Sequence, residues 1–169
     1  MPTSALDDNP AEPVDSPARR RLPPLMRRAW YGLNQAFRRR IVHTGVTPDQ
    51  FTVMRTLLEG GTLGMSQREL TRTMSSDPNT VAALLERMES AGWVERETHE
   101  QDRRAYRLRL LPAGKRKYRQ VREIAISLQS EVLSVLPEGK REEFLEELAA
   151  VAEACRTAAE RSPKGPKRP

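Results

Sequence analysis

The feature that most constrains this chain is a set of three helix starts written in the same short-range pattern. Thr47-Pro48, Ser66-Gln67-Arg68-Glu69 and Asp77-Pro78 each put a side-chain oxygen at a capping position. Two of them follow it with proline at the first helical position, and the serine segment carries glutamate three residues on, as a capping box requires. Apolar residues then recur at spacings of three and four: Phe51, Met54, Leu57 and Leu58, then Leu70 and Met74, then Val81, Leu84, Leu85 and Met88. Gly60-Gly61 and Gly92 supply the stops. Three short helices follow from this punctuation. The last two, of about nine and fourteen residues joined at Ser75-Ser76, have the proportions of a helix-turn-helix.

What comes next has a different period. Trp93–Thr98 and Ala105–Leu110 read as strands, the second alternating Tyr106, Leu108 and Leu110 against Arg107 and Arg109. The segment His99–Arg104 between them makes a charged hairpin tip. Helices flank this centre. Between Arg19 and Arg40 there are eight arginines and no acidic residue, with Leu25, Met26, Ala29, Trp30, Leu33, Phe37 and Ile41 forming an apolar stripe. A helix is expected from about Ala113 to Leu136. Another follows from near Pro137 to about Arg161, acidic early through Glu138, Glu142, Glu143, Glu146 and Glu147. The reading is a mainly α fold with a small β-hairpin wing. Its expected parts are a disordered N-terminal extension (1–20), an N-terminal dimerisation helix (21–45), a winged helix-turn-helix (46–111), C-terminal dimerisation helices (112–161) and a flexible basic tail (162–169).

The net charge of +6 favours a polyanionic partner without choosing between nucleic acid and anionic membrane. Cys155 is the one cysteine, so no internal disulfide can form. No apolar run approaches the ~18–20 residues of a membrane span, and the polar N-terminus does not read as a signal peptide. A cytoplasmic location is expected. His43 and His99 lack metal-ligand spacing with any cysteine, and Glu142–Glu147 reads as a solvated helix face. With no nucleophile–base pair and no phosphate loop, the expectation is a non-enzyme with neither metal nor cofactor.

Placed on this frame, the polar residues point to double-stranded DNA. Ser76, Asn79 and Thr80 stand at the start of the second helix of the pair, where a recognition helix meets base edges and phosphates. The positive end of that helix also favours phosphate. Asp77 reads as its cap. Ser66, Gln67 and Arg87 complete the candidate contacts from the helices. Arg103 and Arg104 at the wing tip are placed to enter a minor groove, and Asp102 to stiffen the turn by pairing with an arginine. Trp30 beside Arg27 has two readings, a core or dimer residue or one wall of a pocket for an aromatic anion. Two further readings stay open: a weakly specific architectural DNA binder, and a winged-helix adaptor whose basic surface meets an acidic protein.

The runs Thr47-Pro48-Asp49-Gln50-Phe51, Ser66–Leu70, Asn79-Thr80-Val81, Leu85–Arg96 and Asp102-Arg103-Arg104, with Leu110 and Gly114, resemble the MarR family of bacterial regulators. The likeness covers about residues 24–158 and is most specific from Gly92 to Arg104. It implies a homodimer formed through the first and last two helices, recognition helices in major grooves and wings in flanking minor grooves. It matches Asp102 and Arg104 to the family's wing Asp-x-Arg motif. It also implies a regulator, often a repressor, from which a small, often aromatic or anionic, effector releases DNA. A dimer is expected from the residues too, because the flanking apolar faces are too large for the small winged centre to cover. Two positions depart from the family pattern. Ala82-Ala83 stand where a polar or basic residue is common, and Leu111 replaces a usual threonine cap.

Overall fold

In a computed structural model, residue 16 and residues 20–61, 64–98 and 106–163 are described. The order is α1 (Leu22–Ile41), a 3-10 turn (Val42–Thr44), α2 (Pro48–Glu59), α3 (Gln67–Thr73), α4 (Pro78–Ser90), β1 (Val94–Thr98), β2 (Tyr106–Leu110), α5 (Pro112–Leu133), a second 3-10 turn (Glu138–Lys140) and α6 (Arg141–Arg161). The chain divides into two compact units, Met1–Ile124 and Ala125–Pro169, and the division falls within α5. The expected extension and tail lie largely outside the described residues.

The three caps form as the sequence demands. Thr47 accepts from the Gln50 amide while the Gln50 side chain accepts from the Thr47 amide at 2.9 Å. Ser66 and Glu69 make the same reciprocal pair around the start of α3. The Asp77 carboxylate accepts from the amides of both Asn79 (2.9 Å) and Thr80 (3.1 Å). Of these three helices, the two led by proline each lose one amide that would otherwise need a partner.

The first unit has one apolar core. Phe51, Val53, Met54 and Leu57 of α2, Leu70 of α3, Val81, Leu84, Leu85 and Met88 of α4, and Leu108 and Leu110 of β2 are all buried. α1 contributes Ile41, and α5 contributes Val121. An aromatic stack ties three helices together: Phe51 lies edge-on to Phe37 and nearly parallel to Tyr118, with ring centroids 5.3 Å apart in both pairs. Such pairs add about 0.5–1.5 kcal/mol to simple burial. The Lys117 ammonium donates to the Thr44 carbonyl at 2.6 Å, joining α5 to the turn after α1.

Several local expectations need correction. Leu58 is not on the inner face of α2 but at its exposed edge. Tyr106 is 55% exposed although Leu108 and Leu110 on its strand face are buried. Tyr106 pairs with Thr98 at the outer end of the hairpin, past the reach of the core. α5 stops at Leu133 rather than near Leu136, and a 3-10 turn separates it from α6. Leu111 directly precedes α5 and its own amide donates to the Trp93 carbonyl at 2.9 Å. No threonine is needed there to the degree expected, because Pro112 occupies the first helical position and has no amide to satisfy.

In the second unit α6 has no fully buried residue, and Val135 and Phe144 are exposed. Arg156 pairs with Glu153 and Glu160 along one face of α6. The Arg141 guanidinium donates to the Leu136 carbonyl at 3.2 Å, holding the turn ahead of that helix.

Candidate nucleic-acid interface

α4 has two opposite faces. Val81, Leu84, Leu85 and Met88 point into the core, which leaves Asn79, Thr80, Ala83, Glu86, Arg87 and Ser90 on one exposed stripe. This stripe starts with the small polar residues expected at a recognition helix. Ala83 lies in its middle and presents a methyl group, a surface suited to a thymine methyl. Arg87 folds its Nε back to donate to the Ala83 carbonyl at 3.2 Å.

The start of α4 is capped as the sequence leads one to expect. Its first amides already donate to a carboxylate, that of Asp77. The positive end of the helix is thereby answered within the chain, and it has less to offer a phosphate than an uncapped terminus would. Asp77 is the cap it was read to be.

Ser66 is drawn inward in a similar way. Its hydroxyl donates to Glu69 Oε2 at 2.7 Å and accepts from the Glu69 amide at 3.2 Å. These bonds, first the serine hydroxyl and then its amide, hold the Glu69 carboxyl below its ordinary value of 4.5, with smaller help from Arg107 and Arg72. Gln67 and Ser76 meet across a groove of about 510 Å³ lined also by Arg68, Thr71, Arg72, Ser75 and Pro78. Gln67, Ser76, Asn79, Thr80 and Arg87 thus lie on α3, the turn and α4, on the helix-turn-helix itself.

The wing is a two-stranded antiparallel hairpin in the register Val94↔Leu110, Arg96↔Leu108 and Thr98↔Tyr106. Arg96 donates to Glu89 of α4 at 2.9 Å, and Arg109 pairs with Glu97 at 2.8 Å. Asp102, Arg103 and Arg104 lie outside the described residues.

A third backbone segment joins the hairpin, and sequence reasoning missed it. Met65 and Leu108 form an isolated bridge, with amide-to-carbonyl distances of 3.2 and 2.7 Å. Arg107 donates to the Gly64 carbonyl at 3.0 Å. Gly64 has φ +71°, and a Cβ there would lie 2.9 Å from the Leu108 carbonyl oxygen, so the bridge needs glycine. A glycine just ahead of the Ser66 cap is the one signal the sequence held. Gly114 plays a matching part on the other side of the wing. A Cβ on it would collide with the Trp93 carbonyl and lie 2.6 Å from Leu110 Cδ1, so only glycine lets α5 pack this closely.

Trp30 is 64% exposed on α1, and Arg27 is exposed on the same helix. Leu22, Leu25, Met26, Tyr31 and Leu33 are exposed with them. Among the described residues no group of three or more His, Cys, Asp or Glu is placed to hold a metal ion. Among them, too, no helix is long and apolar enough to cross a membrane.

A capped helix pair, an exposed polar recognition stripe and a hairpin braced on both sides define a winged helix-turn-helix. Residues 44–105 match the sequence model of the MarR family. That segment is similar in sequence to the MarR family, and its fold is a winged helix-turn-helix. No curated protein matches the chain. Among solved structures, the S. aureus MepR–DNA complex superposes with a TM-score of 0.73 at 18% identity, covering 80% of this chain and 99% of MepR. CouR from Rhodococcus jostii RHA1 bound to p-coumaroyl-CoA gives 0.68 at 22% identity, over 76% and 89% of the two chains. Wild-type MarR from E. coli, in its apo form, gives 0.68 at 20% identity, over 79% and 98%. At these identities the likeness establishes the shared fold.

Proposed function

We propose that this chain is a sequence-specific double-stranded-DNA-binding transcriptional regulator that works as a homodimeric repressor. The observation that carries the reading is the exposed stripe of α4, held on a braced winged module in the segment that matches the MarR family. MepR and CouR have each been solved with DNA, which supports the same partner here.

The dimer rests on α1 and the second unit. Leu25, Met26 and Trp30 on one, and Val132, Val135 and Phe144 on the other, leave apolar surface in water that a second copy would cover. A two-fold pair sets recognition helices about 34–36 Å apart, one turn of DNA, so the operator is an inverted repeat. Arg103 and Arg104 enter the flanking minor grooves, with Asp102 steadying the turn. CouR has been solved with p-coumaroyl-CoA, and a small effector is proposed here as the release signal, with Trp30 and Arg27 as its first candidate contacts.

The test is selection of bound genomic fragments by the purified chain. An inverted repeat with half-sites one turn apart is expected. Equal affinity for scrambled DNA would leave an architectural binder. Absence of duplex binding at physiological salt would leave an adaptor for an acidic protein. Either result overturns the proposal. Arg104→Ala is expected to weaken operator binding by about 1–3 kcal/mol in a titration at fixed salt.

A further inference from the structure

Charge is sorted into two blocks along the first forty residues. Asp7, Asp8, Glu12 and Asp15 come first, with no lysine or arginine among residues 1–18. Eight arginines follow between Arg19 and Arg40, and the next acid after Asp15 is Asp49. Each block repels itself and attracts the other.

α1 displays the basic block on a side of its own. Arg28, Gln35 and Arg39 follow at spacings of seven and four, so they share one line along the helix, and Arg38 flanks it. All four are exposed. Met26, Trp30 and Leu33 lie on the far side of the helix, so a second copy seated on them leaves the arginines in water. Arg96, Arg109, Arg122 and Arg156 each pair with a carboxylate. Among the described residues Arg28, Arg38 and Arg39 have no such partner. The start of α1 is also unlike those of α2, α3 and α4. Thr47, Ser66 and Asp77 cap those helices, whereas Arg21 stands at the cap of α1 without a side-chain bond and the first turn holds no acid. The positive end of α1 therefore adds to the field of its arginines.

Residues 7–15 lie outside the described residues, but Ser16 is described. It is half-buried and engaged in a polar contact. From residue 15 to Leu22 the chain can reach about 23 Å, and Arg28 stands only about 9 Å along the helix from Leu22. Pro10 and Pro13 oppose helix between the acids. An extended run from Asp7 to Asp15 covers about 25 Å, more than the roughly 16 Å from Arg28 to Arg39. The acidic row can thus overlie the whole arginine line.

We infer that residues 7–15 of this chain seat on the outer face of α1, with their carboxylates against Arg28, Arg38 and Arg39, as a built-in competitor for polyanions. Charge complementarity and the reach of the chain select this occupant. The consequence for DNA rests on the regulator reading above: a covered face lends no affinity to duplexes of arbitrary sequence. The seat itself does not depend on that reading.

Two measurements on the full chain test it. In the first, Ser4→Cys in a Cys155→Ser background carries a nitroxide, and amide signals are compared with the label oxidised and reduced. Broadening is expected along α1 from Arg28 to Arg39, and it is expected to vanish in R28Q/R38Q/R39Q and at high salt. Absence of broadening on α1, or broadening retained in the arginine variant, overturns the seat. In the second, affinity for a scrambled duplex is titrated by anisotropy across a salt series. D7N/D8N/E12Q/D15N is expected to bind more tightly than wild type and to steepen the slope of log K against log salt by about 0.9 for each arginine released. The same four substitutions in the R28Q/R38Q/R39Q background are expected to leave the slope unchanged, because the two sets act through each other. An equal change in both backgrounds reports net charge alone and overturns the competition. Wild-type protein that binds no duplex while the broadening persists overturns the regulator reading and not the seat.

Discussion

α4 and α6 are both amphipathic helices, of 13 and 21 residues, yet they place their apolar side chains in opposite surroundings. α4 buries Val81, Leu84, Leu85 and Met88 within one chain. α6 buries none fully, and Phe144 is 40% exposed. α1 resembles α6 along most of its length, with only Ile41 fully buried. The winged module therefore completes its core within one chain, with Ile41 from the end of α1 and Val121 from the first half of α5 joining it. The flanking helices carry apolar surface that their own unit leaves exposed, the surface assigned to a second copy in the proposal above.

The comparison can be broken most directly by deleting one large side chain on each side of it. Leu85→Ala is expected to cost about 2–5 kcal/mol in urea unfolding, because its site is fully buried. Phe144→Ala at high dilution should cost no more than about 1 kcal/mol, as for other partly exposed positions. Similar losses for the two would end the distinction.

Charge sharpens the same point. Leu25→Asp and Phe144→Asp should leave the helical content of the chain intact but halve the mass measured by sedimentation. The wild-type Tm should rise with protein concentration, and in these variants that rise should vanish. Retained dimer mass in both variants would put the covering surface elsewhere.

Local terms come next in size. Asp77→Ala removes the acceptor for two amides at the start of α4 and is expected to cost about 1 kcal/mol by thermal unfolding. The smallest effect is a pH dependence. The folded-state pKa of Glu69 lies below its ordinary value of 4.5, chiefly through its bonds from Ser66. Its contribution is therefore complete above 4.5 and is lost as pH falls through the lower folded-state value. Glu69→Gln should flatten that acid limb slightly in a plot of stability against pH. A steeper acid loss in the variant would contradict the capping role.

Much of the module was legible because its signals are local. Thr47-Pro48, Ser66 with Glu69, and Asp77-Pro78 each act within one helical turn, and all three caps form where the residues stand. The alternation of β2 likewise located the buried Leu108 and Leu110. Other features depend on partners distant in sequence. Apart from Gly64 itself, nothing local announces the bridge from Met65 to Leu108 across forty-three positions, which Arg107 reinforces by donating to the Gly64 carbonyl. Tyr106 keeps the strand alternation but lies where the core has ended, so pattern alone misjudged its burial.

By itself, then, the sequence determined where helices begin, which residues face the core, and that a basic hairpin follows a helix pair, because these follow from hydrogen bonds and periodicities spanning a few residues. Tertiary structure decided how the wing is braced by Met65 and Gly114, and that Arg68, Arg72 and Ser75 share a groove. Those outcomes depend on which groups from separate elements approach within bonding distance, and only the packed chain brings them there.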